Sequence, residues 1–237
     1  MPEAPILLLF RPEPQAADFA AALDERLPGR FVALAAPLTG IVPLPGEIEL
    51  RGVQGLAFTS ANAVAAFVAR GMSSGLPAWC VGDATAAAAR KAGLAAVSAR
   101  GDAAALAALV ASEHRPGAGA VLHLRGRHAA GDLPERLRAA GVPARAVVIY
   151  DQPAIALPAA VRACLAGGGA AVLAFFSPRT ARLFVAEAEA AGWPLAGATA
   201  VSISAATDAA LAELGFGRRI VAPAPDRAGM LAALATH

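Results

Sequence analysis

Short, continuously apolar segments alternate along this chain with longer segments in which apolar residues recur every three or four positions. The short segments are typical of strands buried in a parallel sheet, and the longer ones of helices packed on that sheet. The alternation predicts an α/β protein with doubly wound parallel sheets. The predicted strands include 5–10, 31–36, 79–81, 95–99, 121–124, 146–150, 171–176, 199–204 and 220–222, and the predicted helices include 18–27, 103–111, 159–165, 207–214 and 227–234.

One strand–helix junction occurs twice. Leu173–Phe184 reads LAFFSPRTARLF, and Leu56–Phe67 reads LAFTSANAVAAF. In each copy an apolar strand leads to a serine that is expected to be the N-cap of the next helix, because its hydroxyl accepts a backbone N–H there. Pro178 after Ser177 suits the first helical position, where no N–H is needed. We therefore expect Ser177 and Ser60 at carboxyl ends of strands, where open α/β sheets bind ligands.

Two further junctions are also repeated. Val81–Thr85 (VGDAT) matches Ile203–Thr207 (ISAAT), and in both a glycine follows the threonine by eight residues. Arg11 and Arg125 each end an apolar strand and precede an aspartate by seven residues. Each copy of the repeat therefore has an arginine turn, a serine turn and a threonine turn.

The order of these turns predicts the domain organisation. The arginine turn comes first in the outer part of the chain and last in the inner part, as expected if the chain starts one domain, completes a second and returns to the first. Domain 1 is predicted at residues 1–36 and 152–237, and domain 2 at residues 37–151. The two proline-containing connecting segments are expected to act as a hinge, with the serine and threonine turns facing a cleft.

Composition argues against several classes of protein. Mean hydropathy is high at +0.55, but glycine, proline, serine and threonine interrupt the longest uncharged segments, and none matches the roughly 20 apolar residues of a membrane span. The formal net charge of +2, with scattered basic residues, does not indicate a nucleic-acid partner. The amino end has no basic segment followed by an apolar core, so we expect a cytoplasmic protein.

Sequence patterns for nucleotide and metal sites are absent. The chain has no GxGxxG or GxxxxGK[ST], and its four histidines form no HxxxH pair. The N–H groups at the predicted helix starts favour anions instead, and Arg11, Arg125 and Arg179 are candidates to add positive charge. The alternatives are that the hydroxyls only cap helices and that the arginines are solvated or structural. An enzyme of this kind would act by holding its substrate.

Five motifs, in this order, resemble those of the uroporphyrinogen-III synthase family: FTSANAV, VGDATA, LRG, VIYDQP and FFSPRTARLF. The resemblance covers nearly the whole chain. It implies two α/β domains, the first discontinuous, and an enzyme that cyclises hydroxymethylbilane, a linear tetrapyrrole with eight carboxylates. The implied reaction loses water and inverts the last pyrrole ring to give uroporphyrinogen III. It requires no cofactor and no metal.

The resemblance also implies roles for particular residues. Tyr150 matches the family's connector tyrosine and is implied to assist departure of the hydroxyl group. Ser204 stands where the family usually has glycine, which puts close approach of the substrate to that turn in question. The residues implied to hold substrate carboxylates through hydroxyls and backbone amides are Ser60, Thr85, Ser177 and Thr207.

The partners expected from the resemblance are the small-molecule substrate hydroxymethylbilane and, transiently, the upstream hydroxymethylbilane synthase. A monomer is expected, with no nucleic-acid or membrane partner. Two alternatives remain at this point. One is a two-domain protein that binds an anionic ligand without catalysis, and the other is a transferase with an unusual nucleotide site.

Overall fold

The structure, a computed structural model, describes residues 4–128 and 132–237. The chain divides into two compact units. Unit 1 is Met1–Gly40 with Ala154–His237, and unit 2 is Ile41–Pro153. The division therefore falls after residues 40 and 153, whereas the sequence analysis placed it after residues 36 and 151. Each unit contains one sheet flanked by helices, so the predicted α/β class is confirmed.

The bounds of the elements are as follows. The strands are β1 (Ile6–Phe10), β2 (Val32–Ala35), β3 (Val42–Pro43), β4 (Val53–Phe58), β5 (Pro77–Cys80), β6 (Ala95–Ser98), β7 (Ala120–Gly126), β8 (Ala144–Asp151), β9 (Ala171–Phe175), β10 (Thr199–Ser202) and β11 (Arg218–Val221). The helices are α1 (Gln15–Arg26), α2 (Ala61–Ala69), α3 (Asp83–Lys91), α4 (Ala103–Glu113), α5 (Leu133–Ala139), α6 (Ala159–Ala166), α7 (Pro178–Ala191), α8 (Ala205–Ala209) and α9 (Arg227–Ala235). In the described part of the chain, no helix has the length and apolar character needed to span a membrane.

The sheet of unit 1 is parallel throughout, in the order β11-β10-β9-β1-β2. Strands β1 and β9 lie side by side, with Phe10 opposite Phe175. The helix that follows β1 buries Phe19 against one face of the sheet, and the helix that follows β9 buries Phe184 against the other. The carboxyl ends of β1 and β9 therefore form a topological switch point, the place where open α/β sheets bind ligands.

The sheet of unit 2 has the order β3-β8-β7-β4-β5-β6 and is parallel except for β3. Helix α2 follows β4 and buries Phe67 against one face, whereas α5 follows β7 and buries Leu137 against the other. The switch point therefore lies between β7 and β4. Taken from β6, the order β6-β5-β4-β7-β8 matches β11-β10-β9-β1-β2. The repeat found in the sequence is thus also a structural repeat. In unit 1 the first repeated strand along the chain is β1, whereas in unit 2 it is β4, whose counterpart in unit 1 is β9.

Two of the differences from the prediction have a clear physical cause. The segment 37–45 was predicted as a connector only, but Val42–Pro43 forms β3, antiparallel to the end of β8. Proline is tolerated there because β3 is an edge strand. Helix α8 is shorter than the predicted 207–214 because tighter turns follow it, in which the N–H of Leu211 donates to the carbonyl of Asp208 at 2.9 Å. These turns still bury Leu211, which explains the helix-like apolar spacing.

Candidate active site

The serine turn of unit 2 joins β4 to α2. Ser60 is the N-cap of α2, and its Oγ accepts a hydrogen bond from the backbone N–H of Asn62 at 3.1 Å. The predicted capping role is therefore confirmed. The Ser60 side chain also interacts with the phenol of Tyr150, at the end of β8, and lowers its pKa. A serine cap and the only tyrosine in the chain thus meet at the carboxyl edge of this sheet.

Gly126 explains how Tyr150 can reach the serine turn. Strand β7 lies between β8 and β4, and its last residue, Gly126, is paired with Tyr150. A Cβ atom at Gly126 would lie 2.5 Å from Cζ of Tyr150 and 2.8 Å from its hydroxyl oxygen. The phenol ring therefore occupies the space that any side chain at Gly126 would need. This glycine, part of the LRG motif, makes room for the tyrosine beside Ser60.

The surroundings of Tyr150 favour a protonated phenol. The residue is 3% exposed. Burial raises the pKa of the phenol, while the hydrogen bond with Ser60 and the positive charge of Arg125 lower it to a smaller extent. The neutral phenol therefore persists through the physiological pH range as a hydrogen-bond donor. The two groups that lower its pKa are also those that would stabilise negative charge on its oxygen.

Arg125 lies near the end of β7 and is partly buried. Its Nε donates to the carbonyl oxygen of Gly126 at 3.3 Å. The structure thus brings together three residues that the sequence analysis singled out separately, Arg125, Ser60 and Tyr150, and adds Gly126 beside them. Among the described residues, no group of three or more His, Cys, Asp or Glu side chains has the arrangement of metal ligands.

The threonine turn of unit 2 lies one strand further along the sheet, between β5 and α3. Gly82 is the N-cap of α3 and supplies no side-chain cap. Thr85 is in the first turn of the helix and is 6% exposed. The first-turn N–H groups of α3 are therefore not bonded by a capping side chain, which suits the binding of an anion.

The turns of unit 1 pair their hydroxyls internally. Ser177, the N-cap of α7, accepts from the N–H of Thr180 at 3.1 Å, and the two hydroxyl oxygens are 2.9 Å apart. Ser204, the N-cap of α8, accepts from the N–H of Thr207 at 3.3 Å, with the hydroxyl oxygens 3.1 Å apart. The predicted cap at Ser177 is confirmed. Thr207 is fully buried. Its hydroxyl is paired with that of Ser204, the serine that stands where the resemblance implies glycine.

Positive charge in unit 1 comes from two of the predicted arginines. Arg11 follows β1, and its guanidinium lies over the ring of Phe176 at 4.4 Å from the centroid. Burial lowers the pKa of Arg11, the positive charge of Arg227 lowers it further, and Asp18 acts in the opposite direction. Arg179 lies in the first turn of α7, after Ser177, and is partly buried. These arginines therefore lie at the carboxyl ends of the adjacent strands β1 and β9.

His123 was not among the predicted site residues. This residue lies in β7, is 1% exposed, and its Nε2 is 3.1 Å from the hydroxyl oxygen of Thr59. Burial lowers the pKa of the imidazole to about 4, with a further decrease from the charge of Arg125. The available signal was one polar residue within the apolar strand sequence VLHL.

His123 predicts a specific loss of stability in acid. Its pKa is about 4 in the folded protein against an ordinary 6.5. The unfolded chain therefore binds a proton as pH falls below 6.5, while the folded chain does not until pH approaches 4. The free energy of unfolding should fall across this window by up to about 3 kcal/mol. Denaturant unfolding at pH 7 and pH 4.5 tests this, and a His123→Leu variant with the same pH dependence as wild type would contradict it.

Tyr150 can be titrated without ambiguity because the chain has no other tyrosine. Its tyrosinate absorbance should appear at higher pH than for an ordinary tyrosine of pKa 10. Ser60→Ala should move the curve to still higher pH, because the hydrogen bond that lowers the pKa is lost. The lost cap should also cost about 1 kcal/mol of stability. Circular dichroism at each pH controls for unfolding, and superimposable curves would disprove the coupling.

Comparisons with known proteins bear on this arrangement. The family model described as uroporphyrinogen-III synthase HemD matches residues 18–232. The fold is similar to that of the uroporphyrinogen-III synthetase of Helicobacter pylori, with 19% identity, a TM-score of 0.68, and coverage of 99% of this chain and 100% of that one. Uroporphyrinogen III synthase of the extremely thermophilic bacterium Thermus thermophilus has 18% identity over 98% of this chain and 96% of its own, with a TM-score of 0.41. No curated protein matches.

Proposed function

We propose that this chain, which belongs to the uroporphyrinogen-III synthase family, closes hydroxymethylbilane to uroporphyrinogen III with loss of water and inversion of the last pyrrole ring. It would thereby act as a hydro-lyase in tetrapyrrole biosynthesis. The observation that carries the proposal is the placement of Tyr150 beside Ser60 and Arg125 at the switch point of unit 2. The match of the family model over residues 18–232 supports it.

Tyr150 is the candidate catalytic residue for the first step. The C–O bond of the hydroxymethyl group breaks, and its electron pair leaves with the oxygen, which takes a proton and departs as water. A buried, protonated phenol can donate a hydrogen bond or a proton to that oxygen, directly or through a water molecule. Negative charge then develops on the phenol oxygen. The hydrogen bond with Ser60 and the charge of Arg125 stabilise it there.

The second step requires no further protein group in this proposal. Departure of water leaves an azafulvene cation, which is attacked by a carbon atom of the ring at the other end of the chain of pyrroles. For the last ring to be inverted, the attacking carbon must be the one that already carries the methylene bridge to the neighbouring ring. The new C–C bond gives a spiro intermediate, the older bond to that bridge then breaks and leaves an azafulvene cation on the neighbouring ring, and the free α-carbon of the inverted ring attacks this cation. That carbon loses its proton, which restores the aromatic pyrrole and the charge balance. The protein contributes by holding the two ends of the substrate together.

The carboxylates of the substrate are assigned to the helix starts and arginines at the carboxyl edges of the sheets. An anion held at a helix start is stabilised by about 0.3–1 kcal/mol. At the turn of Thr207 the binding groups are assigned to the preceding N–H groups, those of Ala205 and Ala206, because both the hydroxyl and the N–H of Thr207 are already paired with Ser204. The residues proposed to bind substrate are Ser60, Thr85, Ser177, Thr207, Arg11, Arg125 and Arg179.

Product analysis tests the proposed function. Hydroxymethylbilane cyclises spontaneously to the type I isomer, so freshly generated substrate is incubated with the protein and the products are oxidised and separated. We expect the type III isomer. A protein that only binds the anionic substrate would leave type I, and this outcome would favour the alternative function. The protein is first dialysed against a chelator, and activity that depended on added metal would contradict the proposal that no cofactor is needed.

Because hydroxymethylbilane cyclises spontaneously, direct delivery from the enzyme that makes it would limit its loss to the type I isomer. We propose a cytoplasmic monomer that receives hydroxymethylbilane through transient contact with hydroxymethylbilane synthase. In a coupled reaction, this contact should give a larger type III fraction than the same flux of free substrate. Equal fractions would indicate delivery by diffusion alone.

A further inference from the structure

A partly buried hydrogen bond lies directly beneath the serine turn of unit 2. Residues alternate between the two faces of β7, so Leu122 and Leu124 pack in one core and His123 lies on the opposite face. There its Nε2 is 3.1 Å from Oγ1 of Thr59, which immediately precedes Ser60. The reaction described above does not use either member of this pair.

Unit 1 shows that the fold does not need this hydrogen bond. In the structural repeat, Leu9 of β1 occupies the place of His123, and Phe176 occupies the place of Thr59. Phe176 packs against Phe19 with ring centroids 4.9 Å apart. Apolar packing therefore holds this position in unit 1, the unit in which no tyrosine adjoins the serine turn.

The hydrogen-bonded pair of unit 2, His123 and Thr59, lowers stability compared with the apolar packing at the same place in unit 1. Nδ1 of His123 is buried and has no hydrogen-bond partner among the described residues. An unpaired buried N–H is rarer than an unpaired acceptor, which favours the tautomer in which Nε2–H donates to Thr59 and Nδ1 carries the lone pair. Even so, a desolvated polar atom without a partner lowers stability. The pair is thus maintained against a stability cost beside the candidate catalytic residue.

We propose that His123 is a positioning residue, which acts through Thr59 to keep Ser60 within hydrogen-bonding reach of Tyr150. Only Thr59 and Ser60 lie between the end of β4 and the start of α2. Phe58 anchors the turn in the core on one face of the sheet, and the bond between His123 and Thr59 anchors it on the other. This role rests on the proposed function of Tyr150.

Three variants test the proposal. Thr59→Val removes the hydroxyl at nearly constant volume, Thr59→Ser keeps it, and His123→Leu installs the residue found at the equivalent position of unit 1. The titration of Tyr150 should shift to higher pH in Thr59→Val and in His123→Leu, because Ser60 no longer holds its hydrogen bond. We expect kcat to fall by about tenfold with KM changed by less than about twofold, as for a slightly misplaced catalytic group. Thr59→Ser should restore both readouts.

The titration separates this inference from the proposed function because it needs no substrate. A Tyr150 curve in Thr59→Val identical to wild type would overturn the positioning role, whatever the activity. In a Ser60→Ala background, Thr59→Val should cause no additional shift, and an undiminished shift would equally contradict coupling through Ser60. If the curves respond as expected while wild type forms no type III product, the proposed function fails and the positioning contact stands. His123→Leu removes an unpaired polar atom, so its thermal midpoint should not fall; a fall with an unchanged Tyr150 curve would show a purely structural role.

Discussion

Tyr150→Phe is expected to lower the turnover of hydroxymethylbilane to the type III isomer by about 10²- to 10⁴-fold, the usual range for positioned proton donation. The substitution removes only the hydroxyl oxygen, so the ring should remain packed beside Gly126. Ser60 keeps its capping bond to Asn62 and is partly exposed, so its hydroxyl can bond to water. We therefore expect a nearly unchanged thermal midpoint. KM should change far less than kcat, because the carboxylates of the substrate are assigned to other residues.

The control for this prediction is an unchanged fold of the variant, which thermal unfolding and circular dichroism monitor. A turnover within about threefold of wild type corresponds to less than roughly 1 kcal/mol in the barrier. Such a result would show that Tyr150 serves packing and that solvent or backbone amides assist the leaving group. A large loss accompanied by unfolding would point to the same structural role.

Gly126→Ala is expected to have the second largest effect. Its Cβ would lie 2.5 Å from Cζ and 2.7 Å from Cε2 of Tyr150, closer than real Cβ contacts come, so the ring must move. Displacement of a catalytic group by about 1 Å can cost on the order of 10²-fold in rate. Turnover should fall by about this factor, and the Tyr150 titration should change because the distance to Ser60 changes.

Gly75→Ala is the matched control, because a Cβ atom there meets nothing within 4 Å. It should leave turnover and the Tyr150 titration as in wild type. The effect of Gly126→Ala should also be much smaller when Tyr150 is already phenylalanine, since the two changes act on one group. Full additivity of the two losses would contradict the view that Gly126 acts through Tyr150.

The local chemistry of the sequence predicts much of this fold. Continuous apolar runs such as 171–176 indicate strands buried on both faces, and both sheets are built largely of parallel strands with helices on each side. Ser60 and Ser177 can be predicted as N-caps because each directly precedes a segment in which apolar residues recur at helical spacing. The order of the repeated turns predicts that one unit is inserted within the other. This order can be read directly from the sequence, because it does not depend on how the elements pack.

Contacts that depend on the register between strands could not be predicted in this way. Thr59 and His123 are 64 residues apart in the chain and meet only because β4 and β7 are neighbours in a particular register. The same holds for the fit of Tyr150 over Gly126, which requires β7 to be paired with β8. A polar residue in an apolar strand gives a local signal that something is bonded there, but the identity of the partner depends on the tertiary structure.

The dependence of the product isomers on protein concentration tests the central claim most directly. Spontaneous closure to type I competes with catalysed closure at every protein concentration, so a catalyst must raise the type III fraction progressively, at amounts far below those of the substrate. We expect nearly complete type III product from wild type at concentrations at which Tyr150→Phe still yields mainly type I. A product that remains type I at every concentration of wild-type protein, even when the protein equals the substrate, would contradict the account.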